Sequence, residues 1–193
     1  MRVIDYVLFG IILLLLVLSA TFSAADMAFS SLNQLRLEKK AEAGNKKAKK
    51  ALALAKDYDQ TITTILFGND FVNILASSFM AIAGVNFFLS VTDVENPELA
   101  SLLASLSLLV VLLMFGEIFP KALSKAKAES VAMHLAGFVR ICTFIFYPFV
   151  IPSNKLAKAM AHPIVGKNKE SKLASDDELE AMVDEIVEGM TNG

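Results

Sequence analysis

An uncharged run from Tyr6 to Ala25 constrains this chain more than any other feature. As a helix, it is long enough to cross the ~30 Å hydrocarbon core of a bilayer. It is also longer than the apolar core of a signal peptide, which predicts a retained transmembrane helix. The composition agrees, because 55% of the 193 residues are hydrophobic and the mean hydropathy is +0.55. We therefore predict an all-α membrane protein.

Two further apolar runs give a three-span topology, with spans over residues 5–32, 61–90 and 99–120. Residues 33–57 are basic and are interrupted at Gly44-Asn45, which predicts two short helices beside anionic headgroups rather than a nucleic-acid site. The positive-inside rule places this segment in the cytoplasm. We expect a multi-pass protein of the inner membrane, with its N-terminus outside and its C-terminus in the cytoplasm.

A fourth apolar stretch, residues 137–154, contains Pro148 and Pro152 and is short for a span. Both of its flanks are basic, so a fourth crossing would carry one basic flank outside, against the positive-inside rule. Stretches of this length are more often re-entrant or interfacial. We predict a re-entrant or surface-lying segment here, in addition to the three spans.

The C-terminal segment, residues 167–193, is acidic, with seven acidic and no basic residues from Leu173 onward. Ser175 and Glu178 fit a capping box at the start of a helix with one apolar face. We predict a transmembrane domain over residues 1–166 and a cytoplasmic linker helix over 167–193. We also expect the sequence to stop before further domains.

Polar residues follow helical spacing in the cytoplasmic half of the first two spans. These residues are Ser19, Ser23 and Asp26 in the first span, and Asn69, Asp70, Asn73 and Ser77 in the second. One such stripe is typical of a close helix–helix seam. Several stripes that converge on an acid favour a binding site instead.

That acid is Glu117, in the stretch Gly116 to Lys121 that closes the third span. A carboxylate at the end of an uncharged run is costly unless it is paired, hydrated or bound to a cation. In an α-helix, Pro120 would deprive the carbonyl of Gly116 of its amide donor. A carboxylate and a free carbonyl are ligands that hard cations prefer.

Three motifs together resemble the transmembrane domain of the CorC/cyclin M (CNNM) family of magnesium transporters: Phe22–Leu32, Gly68–Asn73 and Gly116–Lys121. The resemblance implies a homodimer of three-helix protomers with a belt of juxtamembrane helices. It implies Mg²⁺ export driven by Na⁺ entry. It also implies regulatory cytoplasmic domains that bind nucleotide, which we expect in the full-length protein.

We hypothesise a Mg²⁺ site whose ligands are Ser19, Ser23, Asn73, Gly116 and Glu117. An outer set, either a second shell or a Na⁺ path, would contain Asp26, Asn69, Asp70, Ser77, Pro120 and Lys121. In this hypothesis Lys121 neutralises Glu117 when no ion is bound. Oxygen ligands of this kind suit a hard cation, although ligand type alone does not separate Mg²⁺ from Mn²⁺ or Co²⁺.

Two other classes of function fit the sequence less well. A non-transporting divalent-cation sensor or scaffold would use Glu117 only to pair helices, and it remains the alternative. An intramembrane hydrolase needs a nucleophile with a base, and no histidine accompanies the serines of the spans. We therefore expect a protein that is not an enzyme.

Overall fold

The computed structural model describes residues 3–91, 96–156 and 159, and these residues form helices without any strand. The helices are α1 (Val3–Ser31), α2 (Gln34–Glu42), α3 (Lys46–Lys56), α4 (Tyr58–Val91), α5 (Pro97–Val111), α6 (Phe119–Ala126) and α7 (Ala128–Leu156). The chain divides into two units, residues 1–150 and 151–193, and 151–156 and 159 are the described residues of the second. The predicted linker helix over 167–193 lies outside the described residues.

Helices α1 and α4 are antiparallel and pack along most of their length. Near the start of α1, Asp5 accepts a hydrogen bond from Asn86 of α4. Further along α1, Phe22 lies against Gly68, where an added Cβ would come within 2.5 Å of the phenyl ring. Gly68 therefore lets the two helices approach closely at this level.

The basic segment between α1 and α4 forms two short helices, as the sequence predicted. Asn33 caps α2 by accepting from the amide of Arg36, and Asn45 caps α3 in the same way. Gly44 separates the two helices and has a positive φ of 89°, a conformation that favours glycine. Leu37 and Ala51 are fully buried, so the apolar faces of both helices pack inward while their lysines face outward.

The third apolar run is a helix with an irregular middle. Between α5 and α6, residues Leu112–Ile118 form a π-helix, in which the amide of Phe119 donates to the carbonyl of Met114. The next residue, Pro120, has no amide proton to donate. The hydrogen-bond ladder therefore loses a donor opposite Phe115 and Gly116. Single π-helical turns of this kind are frequent at functional sites.

Four helices have the length and apolar composition of a membrane span: α1, α4, the run Pro97–Ala126, and α7. The sequence predicted three spans and a shorter fourth segment. In the structure that segment belongs to an unbroken helix, so it does not turn back on itself as a re-entrant segment does. Pro148 and Pro152 do not interrupt the helix, as is common in membrane proteins.

The contacts of α7 show that it crosses α1 and α4 obliquely. The ring of Phe138 packs on Phe22 at 5.0 Å, and the ring of Phe146 packs on Phe67 at 5.2 Å. Phe146 also lies beside Gly68, which faces Phe22. Phe138 and Phe146 are ~12 Å apart along α7, yet both contact the α1–α4 pair at the height of Phe22 and Gly68. This geometry supports a surface-lying helix, which stays a prediction.

Candidate functional site

The three apolar helices α1, α4 and the α5–α6 run meet at Ser19. Its side chain is fully buried, and its hydroxyl donates to Asn69 Oδ1 at 3.1 Å. In the α5–α6 run, Gly116 approaches α1 so closely that a Cβ atom there would lie 2.9 Å from Ser19 Oγ. An alanine at 116 would therefore force the Ser19 hydroxyl to move at this three-helix contact.

Glu117, the next residue of the π-helix, points toward α4. The amide nitrogen of Asn73 lies 3.4 Å from Glu117 Oε1 and donates a long hydrogen bond to it. The carboxylate is half-buried, and no basic group within the described part of the chain lies within 4 Å of it. Its negative charge therefore faces the helix contact without a counter-ion.

Two buried oxygen atoms near this contact, Ser23 Oγ and Asn73 Oδ1, have no hydrogen-bond partner among the residues that the structure describes. A buried polar atom without a partner costs about 1–3 kcal/mol, so native proteins leave few of them. Both residues were predicted cation ligands. Their unused lone pairs are the kind of acceptor that a bound cation satisfies.

The candidate oxygens form a track along the helices rather than one compact ring. Because α1 and α4 are antiparallel, Ser23 lies about one turn, ~6 Å, to one side of the Ser19–Asn69 contact. Asn73 lies about one turn to the other side. The structure thus joins Ser19 with Gly116 and Asn73 with Glu117, and it places Ser23 at the far end of the track.

Asn69, which the sequence assigned to the outer set, is in direct contact with Ser19 and is 9% exposed. It stands one turn before Asn73 on α4, so the two amides share a face. The spacing of four indicated that face but not the register between the helices, which decides which asparagine meets Ser19.

Lys121 pairs with Asp26 rather than with Glu117. Its ammonium group lies 3.2 Å from the Asp26 carboxylate, and both side chains are partly exposed. One turn further along α6, Ser124 donates to the carbonyl of Ala24 at 2.6 Å. The predicted neutralisation of Glu117 by Lys121 is therefore wrong: the helical pitch places Lys121 beside Asp26, and these two contacts fasten α6 to the end of α1.

The remaining predicted residues are less enclosed. Asp70 and Ser77 are exposed, and Pro120 is half-buried where the π-helix passes into α6. Within residues 3–91, 96–156 and 159, no three His, Cys, Asp or Glu side chains cluster as a metal site. Any cation bound at the helix contact would thus rely on neutral oxygens and one carboxylate, a set that suits a hard ion.

Comparison with known proteins places the chain among membrane proteins. A family model described as the cyclin M transmembrane N-terminal domain matches residues 10–190. A UPF0053 protein of Haemophilus influenzae is 34% identical over 96% of this chain and 42% of its own length. The UPF0053 inner membrane protein YfjD of Escherichia coli is 29% identical over 74% of this chain and 32% of its own length.

The chain therefore spans less than half the length of these curated relatives. The matches agree with the structure, in which several apolar helices are long enough to cross a bilayer. The protein is a multi-pass membrane protein and belongs to the cyclin M transmembrane-domain family.

Proposed function

We propose that this chain is the membrane domain of a transporter, not an enzyme, that exports Mg²⁺ from the cytoplasm in exchange for Na⁺. It would work as a homodimer in the inner membrane, with its N-terminus outside and its C-terminus in the cytoplasm. Membership of the family supports the membrane location. The basic residues of α2 and α3 support the orientation.

The observation that carries the proposal is a pair of buried oxygens, Ser23 Oγ and Asn73 Oδ1, and the nearby Glu117 carboxylate. Within the described ranges, the two oxygens have no hydrogen-bond partner and the carboxylate has no counter-ion. These groups flank the point where three helices meet. A protein that only needed to hold its helices together would gain stability by satisfying or removing them. A site that receives a cation leaves them free.

The donor set fits a transported ion better than a permanently bound one. Mg²⁺ prefers near-octahedral oxygen ligands at ~2.0–2.1 Å and releases its waters reluctantly. A single carboxylate with hydroxyl, amide and carbonyl oxygens would hold it with modest affinity, and several waters could remain. Modest affinity permits release on the other side of the membrane.

The track of oxygens suggests how the ion would move. Ser23 lies nearest the predicted cytoplasmic end, Ser19 and Asn69 come next, and Asn73 with Glu117 lies deepest. An ion entering from the cytoplasm would exchange waters for these oxygens step by step. Because the π-helix lacks a donor at Pro120, its backbone can supply a carbonyl near Gly116 along this path.

A non-transporting sensor or scaffold is the second candidate. The Asn73–Glu117 and Asp26–Lys121 contacts favour it, because both join neighbouring helices. The two candidates differ in flux: a sensor binds Mg²⁺ without moving it.

The deciding experiment measures Mg²⁺ flux across proteoliposomes that contain the wild-type chain or Glu117→Gln. A Mg²⁺-sensitive dye inside the vesicles reports flux with and without a Na⁺ gradient. We expect Na⁺-dependent flux from the wild type and at least about a hundredfold less from Glu117→Gln, because the carboxylate at the helix contact is lost. Full-length protein provides the parallel measurement with its regulatory domains present.

Glu98→Gln is the matched control, because Glu98 is an exposed carboxylate in the first turn of α5, far from the helix contact. It should transport like the wild type. Mg²⁺ binding without flux in the full-length wild type would favour the sensor. Equal flux from Glu117→Gln and wild type would reject the site.

A further inference from the structure

A basic pocket of about 500 Å³ lies at the corner where α1 meets α2 and α6 meets α7. It is separate from the three-helix contact. Its walls include four basic side chains and one acidic one: Arg36, Lys40, Lys125, Lys127 and Glu129. The hydroxyls of Ser31 and Ser130 and the amide of Asn33 add neutral hydrogen-bonding groups.

The positive charge of this pocket is only partly neutralised. Glu129 binds Lys40 at 2.5 Å and lies 3.8 Å from Arg36, whose side chain is 75% exposed. In the described ranges, no carboxylate lies within 4 Å of Lys125 or Lys127. A surplus of three positive charges thus faces the pocket, and the first turn of α7 adds the positive end of its helix dipole.

An apolar groove of about 460 Å³ continues from the basic pocket along α1. Lys127 and Ser130 line both cavities. The groove then passes between Ala24, Ala20 and Val17 of α1 and the apolar side of α7. Seven residues of helix correspond to ~10 Å, so the groove reaches well into the apolar run of α1.

We propose that these two cavities form one binding site for an anionic phospholipid of the cytoplasmic leaflet. The phosphate and headgroup would occupy the basic pocket, and one acyl chain would lie in the apolar groove. The order along α1 fits this occupant, because the charges lie at the end of the helix and the groove leads toward its apolar middle. Basic pockets on the cytoplasmic side of membrane helices bind anionic headgroups in this manner.

A soluble phosphate compound would explain the basic pocket but has no use for a contiguous apolar groove. A second copy of the chain could cover the groove but would bury the surplus charges of the pocket against its own surface, at a desolvation cost. An anionic phospholipid would fill both cavities, with its headgroup in the basic pocket and an acyl chain in the apolar groove. By contacting α1, α2, α6 and α7 together, it would also brace the end of α1 that carries Asp26 and Ser23.

The test uses the purified chain in detergent with added phosphatidylglycerol or phosphatidylcholine, and native mass spectrometry to count retained lipids. Lys125→Gln combined with Lys127→Gln removes the two unpaired charges of the pocket. At about 1 kcal/mol per charge, phosphatidylglycerol affinity should fall about 30-fold. Lys46→Gln with Lys47→Gln is the control, since it makes the same charge change on exposed residues of α3.

Ala20→Phe tests the groove without changing charge. It should reduce retention of phosphatidylglycerol, whereas Leu13→Phe, on the exposed surface of α1 outside the groove, should not. Circular dichroism and size-exclusion profiles matching the wild type verify that each variant folds.

Several outcomes would overturn the proposal. Equal losses in the two lysine pairs would show general surface attraction. Stabilisation by inorganic phosphate alone, with no effect of Ala20→Phe on lipid retention, would show a soluble-anion pocket. A change of oligomeric state in Ala20→Phe with lipid retention intact would show that a second copy covers the groove. Equal retention of phosphatidylcholine and phosphatidylglycerol would show that the headgroup charge is not read.

Discussion

Near the start of α1, the carboxylate of Asp5 is 1% exposed and accepts a hydrogen bond from Asn86 at 3.0 Å. Close to it, Gly84 of α4 packs directly on Ala104 of α5. Near the middle of α1 and α4, Glu117 meets Asn73 at 3.4 Å and Gly116 packs on Ser19. The two regions, which we call the outer seam and the inner cluster, use the same residue types.

The outer seam and the inner cluster differ in whether their buried oxygen atoms have hydrogen-bond partners. In the outer seam the acid–amide hydrogen bond is shorter, 3.0 Å against 3.4 Å, and its acid, Asp5, is buried. Small residues there close the gap between helices. In the inner cluster Ser23 Oγ and Asn73 Oδ1 have no hydrogen-bond partner in the described part of the chain, and the segment that supplies Glu117 is π-helical. A packing seam and a ligand site can therefore share a composition, and the unused oxygen atoms distinguish them.

Substitutions of Gly84 and Gly116 should distinguish the outer seam from the inner cluster most clearly. Gly84→Ala places a Cβ 2.4 Å from the Cβ of Ala104, so overpacking should cost about 1–3 kcal/mol of stability. Gly116→Ala places its Cβ 2.9 Å from a serine hydroxyl within the cluster. We expect it to reduce Mg²⁺ flux at least about tenfold with a smaller loss of thermal stability. Parallel melting and flux measurements would contradict the comparison if both variants lost stability and flux in the same proportion.

The two asparagines come next. Asn86→Ala leaves Asp5 without this donor and should destabilise the fold by about 1–3 kcal/mol. Asn73→Ala removes a candidate ligand and the donor to Glu117, so Mg²⁺ affinity should fall about tenfold. Calorimetric titration and thermal unfolding of both variants give the result, and a stronger effect of Asn86→Ala on Mg²⁺ affinity would reverse the two assignments.

Ser23→Ala should have effects of opposite sign on stability and binding. Without ions, loss of an unsatisfied buried hydroxyl should stabilise the fold by up to about 1 kcal/mol. With Mg²⁺, loss of a ligand should weaken binding about fivefold. Ser107→Ala is the control, because that exposed hydroxyl bonds the carbonyl of Leu103 in its own helix. A loss of stability in ion-free Ser23→Ala would mean that its hydroxyl is already satisfied.

The smallest effect is expected at the Asp26–Lys121 pair. Both side chains are partly exposed, and such pairs contribute about 0–1 kcal/mol. Asp26→Asn should therefore change the melting temperature little. If Asp26 lies on the ion path, flux will fall more than stability does, and equal small changes in both would leave it with a structural role only.

Sequence patterns predicted helices α1 to α4 and the polar faces of α1 and α4 that meet, because the spacing of residues along a helix fixes which side chains share a face. The spacing of four placed Ser19, Asn69 and Asn73 on inward faces, and the lone acid in an uncharged run singled out Glu117. The register between α1 and α4 could not be predicted from the sequence, because it depends on close contacts such as Phe22 against Gly68. The π-helix could not be predicted either, since it changes which amides and carbonyls pair without any signature in the residue composition.

The outer seam was missed for a related reason. Asp5 stood at the margin of the first span, and Asn86 stood alone in an apolar half-helix, so neither formed a stripe. The available signal was Asn86 itself, a polar residue in an apolar run that needs a buried partner. Which acid it meets depends on the antiparallel register of α1 and α4.

The central claim is that the inner cluster binds the transported ion, and a structure with Mn²⁺ in place of Mg²⁺ tests it most directly. Mn²⁺ accepts similar oxygen ligands and has an anomalous X-ray signal. We predict an anomalous peak between α1, α4 and the π-helix, within bonding distance of Glu117 and of at least one of the oxygens of Ser19 and Asn73. A peak confined to exposed acids, or an inner cluster that stays empty at saturating Mn²⁺, would contradict the account.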